Sequence, residues 1–166
     1  MPTIEPYGPE RLEALLASNG WNSFRSADGR AYLTFLTVEP PVGEIRAVWS
    51  ADGPENTVHL VRATSPACCY PAEDGPALVA LLNEFHMDRR WPKGYLRPFG
   101  TCQVQLVAES QYPFSDGVHD ELLQTLNRLA LLAAKDLFTW MAERYRPAAP
   151  ADLDIAELEE RLRKAS

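Results

Sequence analysis

Three histidines, three cysteines and one run of alternating cations and rings are the residues of this chain whose types allow chemistry. A metal site needs ligands presented together, as two histidines one helical turn apart would be. His59, His86 and His119 fall on three different elements and share no such spacing. Cys68 and Cys69 are neighbours, and a bridge between neighbours closes a strained ring. No Cys-x-x-Cys offers the usual zinc spacing. A cation close by would turn either thiol into a nucleophile, but the nearest charges in sequence, Glu73 and Asp74, act the other way. Ser23, Ser65, Ser110 and Ser115 lack the glycine-flanked elbow of a serine hydrolase, and Asp28-Gly29 and Asp52-Gly53 read as hairpin turns rather than phosphate loops. The expectation is a chain with no catalytic residues, no metal and no cofactor.

The stretch Arg89 to Phe99 is different. Arg89, Arg90, Trp91, Lys93, Tyr95, Arg97 and Phe99 interleave positive charge with aromatic surface. In a strand beginning at Lys93, the side chains of Lys93, Tyr95 and Arg97 project to one face. Such a face can stack the bases and track the phosphates of a single strand, grip an acidic peptide, or cap its own hairpin through cation–π contacts. Arg90, Trp91, Lys93, Tyr95 and Arg97 are the expected contact residues.

These residues need a scaffold, and the hydrophobic pattern supplies one. Gly8-Pro9 opens a first helix carrying Leu12, Leu15 and Leu16 on one stripe, and Asn19-Gly20 closes it. From Trp21 to Arg62, alternating segments separated by Asp28-Gly29, Pro40-Pro41 and Asp52-Gly53-Pro54 predict four strands in an antiparallel meander. Residues 65–75, with Pro66 and Pro71, read as a connection. Asp74 caps a middle helix through Asp88, marked by Leu78, Leu81, Leu82 and Phe85. A second hairpin follows, from Lys93 to Pro98 and from Thr101 to Tyr112. The fold class is therefore α+β: an antiparallel sheet of about five or six strands flanked by helices, in the order α-ββββ-α-ββ-α. Residues 1–146 form one domain. Residues 147–166 read as a Pro/Ala linker and a short amphipathic helix, with Asp154 and Glu157 at its start and Ile155, Leu158 and Leu162 as its stripe.

The last helix of the domain, from Val118 to Tyr145, is the most apolar element. Leu122, Leu126, Leu129, Ala133, Leu137 and Trp140 share one face, and Leu123, Ala130, Leu131, Ala134, Phe138, Met141 and Tyr145 widen it. The apolar arc spans roughly 200°, about twice what one sheet covers. Either the first helix or the tail covers the excess, or a second subunit does. We expect the latter, a homodimer seam at Leu131, Phe138, Met141 and Tyr145, since interfaces between identical chains are commonly apolar.

Composition sets the remaining bounds. A chain of 166 residues accommodates one domain with a full core. Its net charge of −7 opposes non-specific binding to nucleic acid. No run is apolar enough to span a bilayer, the start lacks the basic and apolar regions of a secretory signal, and the cysteine usage suits a reducing compartment, so the expectation is a cytoplasmic protein with no membrane partner.

Leu82-Asn83-Glu84-Phe85-His86, Arg90-Trp91-Pro92-Lys93-Gly94-Tyr95 and Val118-His119-Asp120-Glu121-Leu122 together resemble the YbjN-like family, which is similar in fold to type III secretion chaperones. The likeness runs over roughly residues 8–145. It implies a dimeric bacterial α+β module that binds protein segments or acts in regulation, and it carries over no catalytic residue. The function expected is thus a non-enzymatic, chaperone-like adaptor for a protein or peptide, with a nucleic-acid-associated protein using Arg89–Phe99 as the alternative.

Overall fold

The computed structural model describes residues 3–145. It contains α1 (Pro9–Ser18), β1 (Ser23–Arg25), β2 (Ala31–Thr37), β3 (Glu44–Asp52), β4 (Val58–Pro71), α2 (Gly75–Asp88), β5 (Lys93–Phe99), β6 (Gln103–Pro113) and α3 (Asp120–Arg144). All six strands pair antiparallel in the order β1-β2-β3-β4-β6-β5. The first four strands are the expected meander. The second hairpin joins through β6, which leaves β5 at the edge. The expected linker and tail helix after Arg146 lie outside the described residues.

Two sequence expectations need correction. Residues 65–75 are not merely a connection: β4 continues to Pro71, with its register broken between Thr64 and Cys69, and a single 3-10 turn (Ala72–Asp74) leads into α2. Pro66 is tolerated because β3 stops pairing at Thr64, so no neighbour on that side requires its missing N–H. The long helix starts at Asp120 rather than Val118. Val118 instead pairs with Glu5 in an isolated bridge, and His119 is the N-cap, its Nδ1 accepting from the Leu122 N–H at 3.2 Å.

All three helices lie on one face of the sheet. α2 packs Leu78, Leu82 and Phe85 with Leu137, Phe138, Trp140 and Met141 of α3 over Ile45, Ala63, Leu106 and Ala108. α1 sets Leu12 and Leu16 against Tyr32, Ala47, Trp49 and Ala130, with Leu131 half-buried beside them. Gly94 lets β5 reach the joint of α2 and α3, since a Cβ there would lie 3.0 Å from both Leu82 and Leu137. The apolar arc of α3 is thus covered by the sheet below, by α1 at Ala130 and Leu131, and by α2 at Leu137 and Trp140.

Two of the four residues of the expected homodimer seam are taken up by this packing. Phe138 and Met141 are both 0% exposed and belong to the core of the single chain. Tyr145 packs edge-on against Tyr70, with ring centroids 5.5 Å apart, and Leu131 leans on the α1 cluster. Periodicity gives the width of an apolar arc but not what lies over it, and over Phe138 and Met141 it is the chain's own core.

One polar triad crosses the core. The Tyr7 hydroxyl donates to His59 Nδ1 at 2.6 Å, and His59 Nε2–H donates to Asn127 Oδ1 at 2.6 Å. The ring lies among Trp49, Tyr112 and Phe114 and is fully buried. The triad ties the N-terminal segment, β4 and α3 together.

Candidate interaction surface

The uncovered face of the sheet carries the strand-borne half of the basic-aromatic cluster. Lys93, Tyr95 and Arg97 stand opposite Glu109, Val107 and Gln105 of β6, so they share one face, as the alternation requires. They are engaged within the fold. Glu109, 5% exposed, accepts from Arg62 Nε at 2.8 Å, the Tyr95 hydroxyl at 3.1 Å, Lys93 Nζ at 3.5 Å and Gln111 Nε2 at 2.9 Å. Burial alone would raise its pKa, but the hydrogen bonds from Arg62 and Tyr95 outweigh that and hold the carboxyl below its usual range. Arg97 donates to Gln105 Oε1 through Nε at 3.2 Å and Nη2 at 2.7 Å. Arg89 pairs with Asp136 of α3 at 2.9 Å. With these cations held by carboxylates and an amide, the face has little free charge for phosphates, and the nucleic-acid reading loses its main support.

Glu109 organises this face. Replacing it with alanine should lower stability by about 1–3 kcal/mol, because hydrogen bonds to a charged acceptor are lost while Arg62 and Lys93 turn back to water. Urea unfolding at pH 7 measures this, and Glu109→Gln should recover part of the loss.

Trp91 departs from the expected cluster. It lies on the helical side, half exposed, stacked on Tyr112 with centroids 5.6 Å apart and planes 8° from parallel. With Tyr112, Ser110, Leu126, Leu129 and Ala133 it lines an almost wholly apolar groove of about 370 Å³. Its origin lies in helix lengths. α2 covers the C-terminal half of the outer α3 stripe, at Leu137 and Trp140, and ends at Asp88. From there the N-terminal half of the stripe stays open, leaving Leu129 52% and Leu122 40% exposed, with Leu132 at 63% beside them. The stripe was legible in the sequence; its division between a covered and an open half was not, though a middle helix of 14 residues beside one of 25 was the available signal.

The two halves of the cluster meet at Trp91. A polar hollow of about 240 Å³, lined by Arg90, Trp91, Lys93, Glu109 and Gln111, adjoins the groove through that indole. Arg90 is exposed, and no described carboxylate pairs with it. The site is an apolar trough with a basic corner.

The remaining candidates for chemistry are occupied structurally. His86 Nε2 accepts from the Gly94 N–H at 3.2 Å, His119 caps α3 and His59 lies in the core. Among the described residues no three His, Cys, Asp or Glu side chains converge. Cys68 is fully buried, and burial pushes its thiol up to about 11, far from a thiolate at neutral pH. Cys69 accepts a weak bond from Gln105 Nε2 at 3.5 Å. No described helix is long and apolar enough to cross a membrane.

A six-stranded antiparallel sheet with three helices on one face, a charged network on the other and an open groove beside the longest helix defines an α+β module built around surfaces. The chain belongs to the YbjN family, described as "Putative bacterial sensory transduction regulator", whose model matches residues 8–143. Its structure is similar to the "Crystal structure of YbjN, a putative transcription regulator from E. coli", with a TM-score of 0.67 and 15% sequence identity over 86% of this chain and 96% of that one. At that identity the likeness concerns the fold. No curated protein matches.

Proposed function

We propose that this chain is a non-enzymatic regulatory adaptor of the bacterial cytoplasm that acts by holding a protein segment in the groove between Trp91 and α3. The observation that carries this reading is the groove itself: apolar surface left open on a chain of net charge −7, with a charged hollow adjoining it at Trp91. Trp91 and Leu129 are its anchors, and the family description as a sensory transduction regulator is consistent with a role played through binding.

The test starts from a displayed library of random peptides selected on the purified protein. Selected peptides should carry apolar anchors and carboxylates, and should bind at least about tenfold more weakly to Leu129→Asp, since an introduced charge would have to be desolvated in the groove. Leu129 is half exposed, so the variant should keep the wild-type circular dichroism and melting midpoint. Peptides that bind wild type and Leu129→Asp alike would overturn the reading.

The homodimer remains part of the proposal on a different surface. Phe24, Phe35 and Val48 form an exposed apolar patch on the open face of the sheet, with the Phe24 and Phe35 rings 5.9 Å apart in a T. Beside them β1, only three residues long, presents a free edge. The double substitution Phe24→Asp, Phe35→Asp should convert dimers to monomers by light scattering. Wild-type protein that is monomeric at high concentration would end the dimer reading.

A further inference from the structure

The groove has a length, a charge pattern and a neighbour in sequence. Its floor runs along α3 from Ala133 back to Leu126, about 10 Å at the helical rise. It lies on the same stripe of α3 that α2 covers further along, at Leu137 and Trp140. Its basic corner is Arg90, beside the Lys93–Glu109 pair, joined to the apolar trough through Trp91.

The sequence past Tyr145 matches each of these features. Asp152 to Leu162 places Ile155, Leu158 and Leu162 at the spacing of one helical stripe, and from Ile155 to Leu162 that stripe spans about 10 Å. The same stretch holds the carboxylates of Asp152, Asp154, Glu157, Glu159 and Glu160, opposite in sign to the basic corner. The reach is sufficient: Ala133 lies about 18 Å back along α3 from Tyr145, and the eight residues 146–153 extend to about 26 Å. A stripe this narrow on a helix this short is marginal alone in water, whereas the groove would cover it.

We propose that the chain's own segment Asp152–Leu162 is an occupant of the groove, seating Ile155, Leu158 and Leu162 against Leu126, Leu129 and Trp91 with its carboxylates toward Arg90. The inference rests on the binding role assigned to the groove and gives it a regulation: the tail competes in cis with any partner segment, and a partner must displace it. Attachment to the same chain makes the competition independent of protein concentration.

Hydroxyl-radical footprinting of the full chain tests this, comparing wild type with the double variant Ile155→Ser, Leu158→Ser. Circular dichroism and the melting midpoint of the variant, measured alongside, check that the domain stays folded. Labelling of Trp91 and Leu129 should rise several-fold in the variant, while Phe24, on the opposite face, stays unchanged. The peptides selected on the groove should also bind the variant several-fold more tightly. Equal labelling of Trp91 and Leu129 in both chains overturns the tail proposal. So does protection that disappears on dilution, which would assign the occupant to a second copy. If labelling is equal but selected peptides still discriminate against Leu129→Asp, the tail proposal falls and the binding role stands; if that discrimination is also absent, both fall.

Discussion

Phe138→Ala is expected to remove about 3–5 kcal/mol of folding stability, the loss typical of a large aromatic truncated to alanine in a close-packed interior. Phe138 is 0% exposed and lies where α3 crosses the sheet, in one cluster with Tyr70, Leu106, Ala108 and Met141. The side chains around it are held by α2, α3 and the sheet, so the cavity cannot close fully. A domain of this size has only about 5–15 kcal/mol in total, so the variant should be extensively unfolded well below the wild-type midpoint. Urea titration gives the number, with the slope expected to stay unchanged. A subunit seam would behave otherwise: truncation there would halve the mass in solution while leaving each chain folded. Leu132→Ala supplies the contrast on the same helix. It is 63% exposed and should change stability by no more than about 0.5 kcal/mol. A small loss for Phe138→Ala accompanied by dissociation would restore the seam.

That contrast also shows where sequence reasoning stops. The strand pairings across Asp28-Gly29 and Asp52-Gly53 were readable because connections of about five residues leave neighbouring strands only the antiparallel way to meet. The shared face of Lys93, Tyr95 and Arg97 followed from the period of a strand. The covering of α3 did not follow, since a helix pattern reports how much surface must be buried and nothing about which element buries it. Trp91 was grouped with the cations because it adjoins them in sequence. It belongs instead to the groove, because Pro92 and the start of β5 turn its indole toward Tyr112 and away from the strand face. Asn127 was the clearest missed signal: a lone amide in the middle of an apolar arc needs a buried partner, and that partner is His59.

His59 carries the second large expectation, a loss of stability in mild acid. Burial pushes its pKa down to about 4, against the weaker opposing effect of the hydrogen bond to Asn127, whereas in the unfolded chain the imidazole titrates near 6.5. Between those values the unfolded chain binds a proton that the folded chain refuses. The stabilisation is therefore complete above pH 6.5, declines as the pH falls and is exhausted near pH 4, where the native ring itself takes the proton. A displacement of about 2.5 pH units corresponds to roughly 3 kcal/mol across that window. The neutral tautomer is the one the geometry needs, with Nδ1 accepting from Tyr7 while Nε2–H donates to Asn127. A protonated ring would face the Tyr7 hydroxyl with a second donor. Unfolding free energies of wild type and His59→Phe at pH 7, 6, 5 and 4 separate this group from the carboxylates. Glu109 is held below its usual range, so its loss comes at the acid end, and both chains share it. His59→Phe should be less stable at pH 7 by about 1–3 kcal/mol, because the Tyr7 hydroxyl and the Asn127 amide are left without their partner. Its profile from pH 6.5 to 4 should nevertheless be flatter by the amount the imidazole contributed, so the two curves converge in acid. Parallel curves would mean that His59 does not titrate in this window, and the buried triad would then be a fixed structural link rather than the group that sets the chain's lower pH limit.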